Sequence, residues 1–301
     1  MGKEGKFTGV NSIKFNNQFK DDASCYEYIS NIKWTDNTYE CKKCKGAKYC
    51  KGKKPFSRRC LKCRYDESPT AGTMFDKCKF SLLLAFHIAF KISTKKKGMS
   101  SLELSHEFEM RQPTCWEFKW KLQQAMESSK QYPLTGEVHV DEFYIGGMEE
   151  QKRGRSKGKK RLVIVALEKV EDGVGRAYAQ IIETASQQEF EPFFENHIGK
   201  DAAVITDEWK GYSPLKLEYK KLKQVPSNEG KNFPDLHIHI MNLKGWLRGI
   251  HHHCSKERLQ GYLNEYHYRY NRRNNMDTIF NNLITRMVNN QPIRLKDNSA
   301  L

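Results

Sequence analysis

The chain has 301 residues, with 52 Lys and Arg against 36 Asp and Glu, a formal net charge of +16 and a pI near 9.3. That length accommodates two or three domains, and that charge spreads a positive potential that suits a polyanion and disfavours a basic partner. No run of about 18 apolar residues is present, which excludes a membrane-spanning helix.

The opening residues, MGKEGKFTGVNSIKF, lack the apolar core of a signal peptide, and Lys6 stands where a myristoylation motif wants Ser or Thr. The expected location is cytoplasmic, where nine cysteines read as metal ligands or buried thiols before disulfides. Residues 1–33 read as an N-terminal extension. Within residues 34–70, Cys41-Lys-Lys-Cys44 and Cys60-Leu-Lys-Cys63 are separated by fifteen residues. Two such turns present four thiolates to one structural Zn2+, the pattern of a zinc ribbon, and the loop between them is strongly basic. The ion replaces a core that so short a segment cannot build, since structural zinc supplies roughly 10–16 kcal/mol of apparent binding energy. Cys25 and Cys50 have no close cysteine partner and read as spectators; Cys78 and Cys115 sit in helical patterns as small apolar groups.

Residues 71–131 read as a helical DNA-binding region. FSLLLAFHIAFKI, Phe80 to Ile92, is long and apolar enough for a buried helix. Ser100 or Ser101 then caps a short amphipathic helix, and the turn Arg111-Gln-Pro-Thr leads into another that carries Lys and aromatic residues. Two short helices at a tight turn suit a helix-turn-helix in the major groove, although ordinary helical connectors share the pattern.

From 134 to 290 the pattern becomes that of an α/β domain, followed by a tail over 291–301. GEVHVDEFYIGG is a strand with Val138 and Val140 on one face and Asp141 near its middle. A Lys- and Arg-rich run over 152–161 reads as a solvated hairpin loop. RLVIVALEKV and GRAYAQIIET are two further strands, SQQEFEPFFENHI a capped amphipathic helix, and DAAVITDEWKGY a buried strand ending on Asp207. LHIHI reads as a short strand, after which Asn242 opens a helix. The order β-β-β-α-β is that of a ribonuclease-H-like mixed sheet with flanking helices, in which the first and fourth strands lie side by side. Asp141 and Asp207, 66 residues apart, would then meet at one end of the sheet. Paired carboxylates repel unless a cation such as Mg2+ or Mn2+ sits between them. Asn242, 35 residues further on, offers a neutral oxygen as third ligand.

VDEFYIGG, VITDEWKGY, MNLKGWLRGIHHHCSKERLQGYLNEYHYRYNRR and, earlier, the zinc knuckles followed by TAGTMF resemble the IS1595 family of bacterial insertion-sequence transposases, from about Trp34 to about Arg273. The resemblance implies an aspartate, aspartate, asparagine or glutamate triad on a ribonuclease-H-like core, with a basic residue after the third member. By motif these are Asp141, Asp207 and Asn242, followed by Lys244; whether Glu265 contributes stays open. His251, His252, His253 and Cys254 are read as phosphate contacts or surface groups before a second metal site, because adjacent histidines point apart. Tyr262, Tyr266, Tyr268 and Tyr270 fit a helix packing on the sheet, with Arg269, Arg272 and Arg273 on its wet side. Trp209 and Trp246 fit either base stacking or a core role.

The expected function is metal-dependent cleavage and strand transfer of an insertion sequence, with double-stranded DNA (terminal inverted repeats and target) as partner and a homo-oligomer assembled on it. No membrane role is expected. Two alternatives share parts of this sequence pattern: a zinc-ribbon transcription regulator that binds DNA without cutting, and a structure-specific nuclease that hydrolyses without joining.

Overall fold

The computed structural model describes residues 6–35, 38–146, 160–171, 173–251 and 254–294. It divides into two compact units, residues 1–126 with 274–301, and residues 127–273.

The first unit opens with helices α1 (Ser12–Gln18) and α2 (Asp22–Lys33). Asn11 caps α1, and Asp21 caps α2 in a capping box with Ser24. A small antiparallel sheet follows, with β1 (Tyr49–Lys51), β2 (Arg58–Cys60) and β3 (Asp66–Glu67) in sequential order. Lys33 of α2 pairs with the buried carboxylate of Glu67 at 2.8 Å, which ties this sheet to the helices.

Helices α3 (Leu82–Thr94), α4 (Ser101–Glu107) and α5 (Gln112–Ala125) complete the N-terminal part. The turn falls where the sequence places it: Ser100 caps α4 with Glu103 in a capping box, and Pro113 occupies the first turn of α5. Phe118, Lys119 and Trp120 are buried, and the Lys119 ammonium donates to the Met99 carbonyl, so the aromatic side is the packing side. What α5 exposes is its N-terminal end, Arg111, Gln112 and Pro113.

The last helix, α9 (Ile279–Asn289), packs on α2, α3 and α5. Phe280 sits among Phe7, Phe15, Phe19, Phe86 and Phe90 with ring centroids 5.3–5.8 Å apart. The Tyr28 hydroxyl donates to Asn281 at 2.6 Å. Described residues of the expected N-terminal extension (Phe7, Phe15, Phe19) and of the segment expected at the end of the catalytic domain (Phe280, Leu283) thus contribute to the core of the first unit.

The second unit is a five-stranded mixed sheet in the order β6-β5-β4-β7-β8. Its strands are β4 (Glu137–Ile145), β5 (Arg161–Val170), β6 (Gly173–Ile182), β7 (Ala203–Thr206) and β8 (Lys223–Gln224). Strands β4, β5 and β6 are antiparallel neighbours, and β7 lies parallel to both β4 and β8. Helix α6 (Gln187–His197) crosses one face; α7 (Pro234–Ile250) and α8 (Lys256–Tyr270) cover the other.

Strand β5 shows why the sheet is layered in this way. Leu162, Ile164 and Ala166 enter the core beneath α6, while Val163, Val165 and Leu167 enter the core beneath α7 and α8. A strand buried on both faces reads as a continuous apolar run. The expected strand at LHIHI is the first part of α7 instead. Its His-Ile alternation mimics a period of two, but Leu236, Ile240, Leu243 and Leu247 repeat at helical spacing and are all buried, and Pro234 starts the helix.

The basic run at 152–161 falls largely outside the described residues, as do His252 and His253. Among the described residues no helix is long and apolar enough to cross a membrane.

Candidate active site

Strand β4 alternates between the two faces of the sheet. Val138 and Val140 pack in the core under α6; His139 meets Phe233 and Phe143 packs under α7, which places Asp141 on the α7 side. The parallel ladder ends with the pair Val140 and Thr206, so Asp141 is the next residue of β4 and Asp207 the residue that directly follows β7. Neighbouring strands stand about 4.8 Å apart.

Local contacts fix each carboxylate. Asp141 Oδ1 accepts the Glu142 amide at 2.8 Å. Asp207 Oδ1 accepts the Trp209 amide at 3.0 Å, and the Gln224 side chain of β8 donates to the Asp207 and Trp209 carbonyls, holding the turn at the end of β7. Behind them the buried Tyr212 hydroxyl donates to Glu142 at 2.7 Å. Burial pushes this phenol well above its usual range, and Glu142, Asp141 and Asp207 add to the shift, so one buried group senses all three acids.

Helix α7 supplies the opposite wall. His237 Nε2 lies 3.7 Å from Asp141 Oδ2. Lys244, two turns on, lies over the Phe143 ring at 5.1 Å; burial pulls its ammonium below the usual lysine value and Arg248 adds to this, while Asp141 opposes it. Asn242, the residue expected as third ligand, is exposed. It follows His237 by five positions, which at about 100° per residue turns it about 140° around the helix. The helix therefore turns His237 and Lys244 to one side, where His237 reaches Asp141, and turns Asn242 to another.

Glu265 is fully buried in α8 and pairs with Arg269 at 2.6 Å. That pair corrects the reading of Arg269 as a wet-side residue. Trp209 donates its indole N–H to the Ala185 carbonyl at 2.7 Å, and Trp246 of α7 packs half-buried against the core between the sheet and α7 and α8, so both have packing roles.

In the first unit, Cys41, Cys44, Cys60 and Cys63 bring all four sulfurs within 4.8 Å of one another. Among the described residues this is the one group of three or more His, Cys, Asp or Glu side chains so closely gathered. Cys41 and Cys63 are 3.5 Å apart, as are Cys44 and Cys60. Ligands at about 2.3 Å from a tetrahedral zinc stand about 3.8 Å apart, so the group could hold a zinc ion. The two knuckles repeat one backbone device: Lys45 and Arg64 both take a left-handed conformation (φ 60° and 63°) and donate to the carbonyls of Cys41 and Cys60. Desolvation opposes ionisation of Cys41, but the amides of Cys44 and Lys43 outweigh it and bring the thiol down to about 6. Cys50 is exposed and outside the group, while Cys25 and Cys115 are buried thiols.

The second unit is thus a five-stranded mixed α/β sheet with helices on both faces. Residues 133–271 match the family described as the ISXO2-like transposase domain. None of the curated proteins matches the chain. Among solved structures, a pre-cleavage Mos1 transpososome is similar at 10% identity, covering 65% of this chain and 76% of that one, with a TM-score of 0.27, a likeness too distant to bear on function.

Proposed function

We propose that the protein is a DNA transposase that cleaves and joins the ends of an insertion sequence in a reaction dependent on divalent metal. The observation that carries the reading is the parallel pairing of Val140 with Thr206, which sets Asp141 and Asp207 side by side within the stretch that matches a transposase domain. Two acids set next to each other on the neighbouring inner strands β4 and β7 fit Mg2+ or Mn2+, hard cations that take carboxylate oxygens. When bound, such ions activate water or a 3′-hydroxyl and stabilise the departing oxygen of a phosphodiester.

The protein's own groups have separate tasks. Asp141 and Asp207 hold the cation, kept in place by the Glu142 and Trp209 amides. Lys244, beside Asp141, binds a non-bridging phosphate oxygen and orients the strand. In the first unit, Cys41, Cys44, Cys60 and Cys63 hold a structural Zn2+ as a zinc ribbon. Exposed Lys43, Lys45, Lys48, Lys51, Lys53 and Lys54 around it then contact phosphates. The exposed start of α5 is the part of the helical pair placed to reach a groove. Two element ends must be brought together, so the active form is at least a dimer on DNA.

The test is incubation of the purified protein with DNA carrying the element ends and a target plasmid, with Mg2+ or Mn2+. Native protein should nick at the ends and join 3′-hydroxyls to the plasmid; binding without nicking would favour the zinc-ribbon regulator, and nicking without joining the hydrolytic nuclease.

A further inference from the structure

We propose that His237 is a ligand of the catalytic cation, so that the site combines two carboxylates with one imidazole nitrogen and selects transition-metal ions over Mg2+. This rests on the proposed function above. His237 Nε2 and Asp141 Oδ2 face each other across the gap between α7 and β4 at 3.7 Å. Two donors on one such ion, each at about 2.1 Å, stand about 3.0–3.4 Å apart, so a small closure seats both.

The ring has a built seat. It lies on Gly230, whose φ is +85°, and a Cβ added there would come within 2.9 Å of Nε2. Glycine at this position lets the imidazole occupy its place beside Asp141. His237 is also exposed enough, 44% for its side chain, for replacement to leave the core of α7 intact. The chemistry gives the consequence: Mg2+ takes oxygen ligands at strict octahedral geometry and keeps its waters, whereas transition-metal ions accept imidazole readily.

Binding of Mn2+ to the zinc-loaded protein, read by spin-echo EPR alongside calorimetric titrations with Mn2+ and Mg2+, tests this without reference to activity. The expected signal is modulation from one directly bound nitrogen, lost in His237→Ala, with Mn2+ affinity lowered about tenfold and Mg2+ affinity little changed. His237→Glu should shift the preference toward Mg2+. Absence of nitrogen coupling in native protein whose Mn2+ binding is abolished by Asp141→Asn would overturn the role of His237 and leave the acidic site standing. Coupling that persists in His237→Ala would overturn it equally. Mn2+ binding that is insensitive to both Asp141→Asn and Asp207→Asn would remove the acidic site as well.

Discussion

Asp207 occupies the same position relative to Thr206 that Asp141 occupies relative to Val140, its register partner on the neighbouring parallel strand. Asn substitution keeps the shape of each side chain but removes its charge. Asp141→Asn and Asp207→Asn should each reduce end cleavage by at least about a thousandfold, while gel-shift affinity for the ends changes by less than about threefold. Retained cleavage in either variant would remove that residue from the site.

The four-cysteine group predicts one zinc per chain by elemental analysis. Cys41→Ser or Cys60→Ser should release the ion and loosen β1 to β3, because roughly 10–16 kcal/mol of apparent binding energy is coupled to folding in such small sites. Cys50→Ser should leave the stoichiometry at one. A chelator should lower DNA affinity in step with zinc loss.

The Glu265–Arg269 pair in α8 is almost wholly buried, with side chains 0% and 7% exposed. Glu265→Ala strands a buried guanidinium and should cost about 3–5 kcal/mol in chemical denaturation, whereas replacing both partners by apolar residues of similar volume should cost far less. Glu265→Gln that destroyed cleavage without loss of stability would instead assign the residue a catalytic role.

The second unit also carries a pH dependence. His239 and His267 meet at 3.1 Å between α7 and α8, and the His267 Nδ1–H donates to the Leu263 carbonyl. Burial holds His239 well below its usual range and His267 at about 4; His197 of α6, stacked on Tyr178, is likewise at about 4. Folding thus releases protons from imidazoles that titrate near 6.5 when unfolded. The stabilisation is complete above that value and is lost as pH falls from about 6.5 toward 4, by about 1.4 kcal/mol per pH unit for each such histidine. Urea midpoints measured from pH 7.5 to 4.5 should fall accordingly, and His267→Phe should flatten the slope.

The acidic pair was legible because a β-β-β-α-β order dictates which strands become neighbours, and the Val-rich alternation of β4 dictates which face Asp141 takes. His237 was not. HIHIM alternates as a strand would, and only the longer spacing of Leu236, Ile240, Leu243 and Leu247 reveals the helix that puts His237, rather than Asn242, in phase with Lys244. The position of α9 was equally hidden, since an amphipathic helix declares an apolar face but not which core receives it. For α5, the stripe formed by Cys115, Phe118, Lys119, Leu122 and Ala125 has the spacing of a packing face, which accounts for the burial of a lysine and two of its aromatic neighbours.

Anomalous diffraction from crystals of the protein grown with Mn2+ tests the central claim most directly. A manganese peak should lie between the carboxylates of Asp141 and Asp207 and within about 2.3 Å of an oxygen from each. Manganese bound elsewhere, with those two carboxylates uncoordinated, would contradict the account.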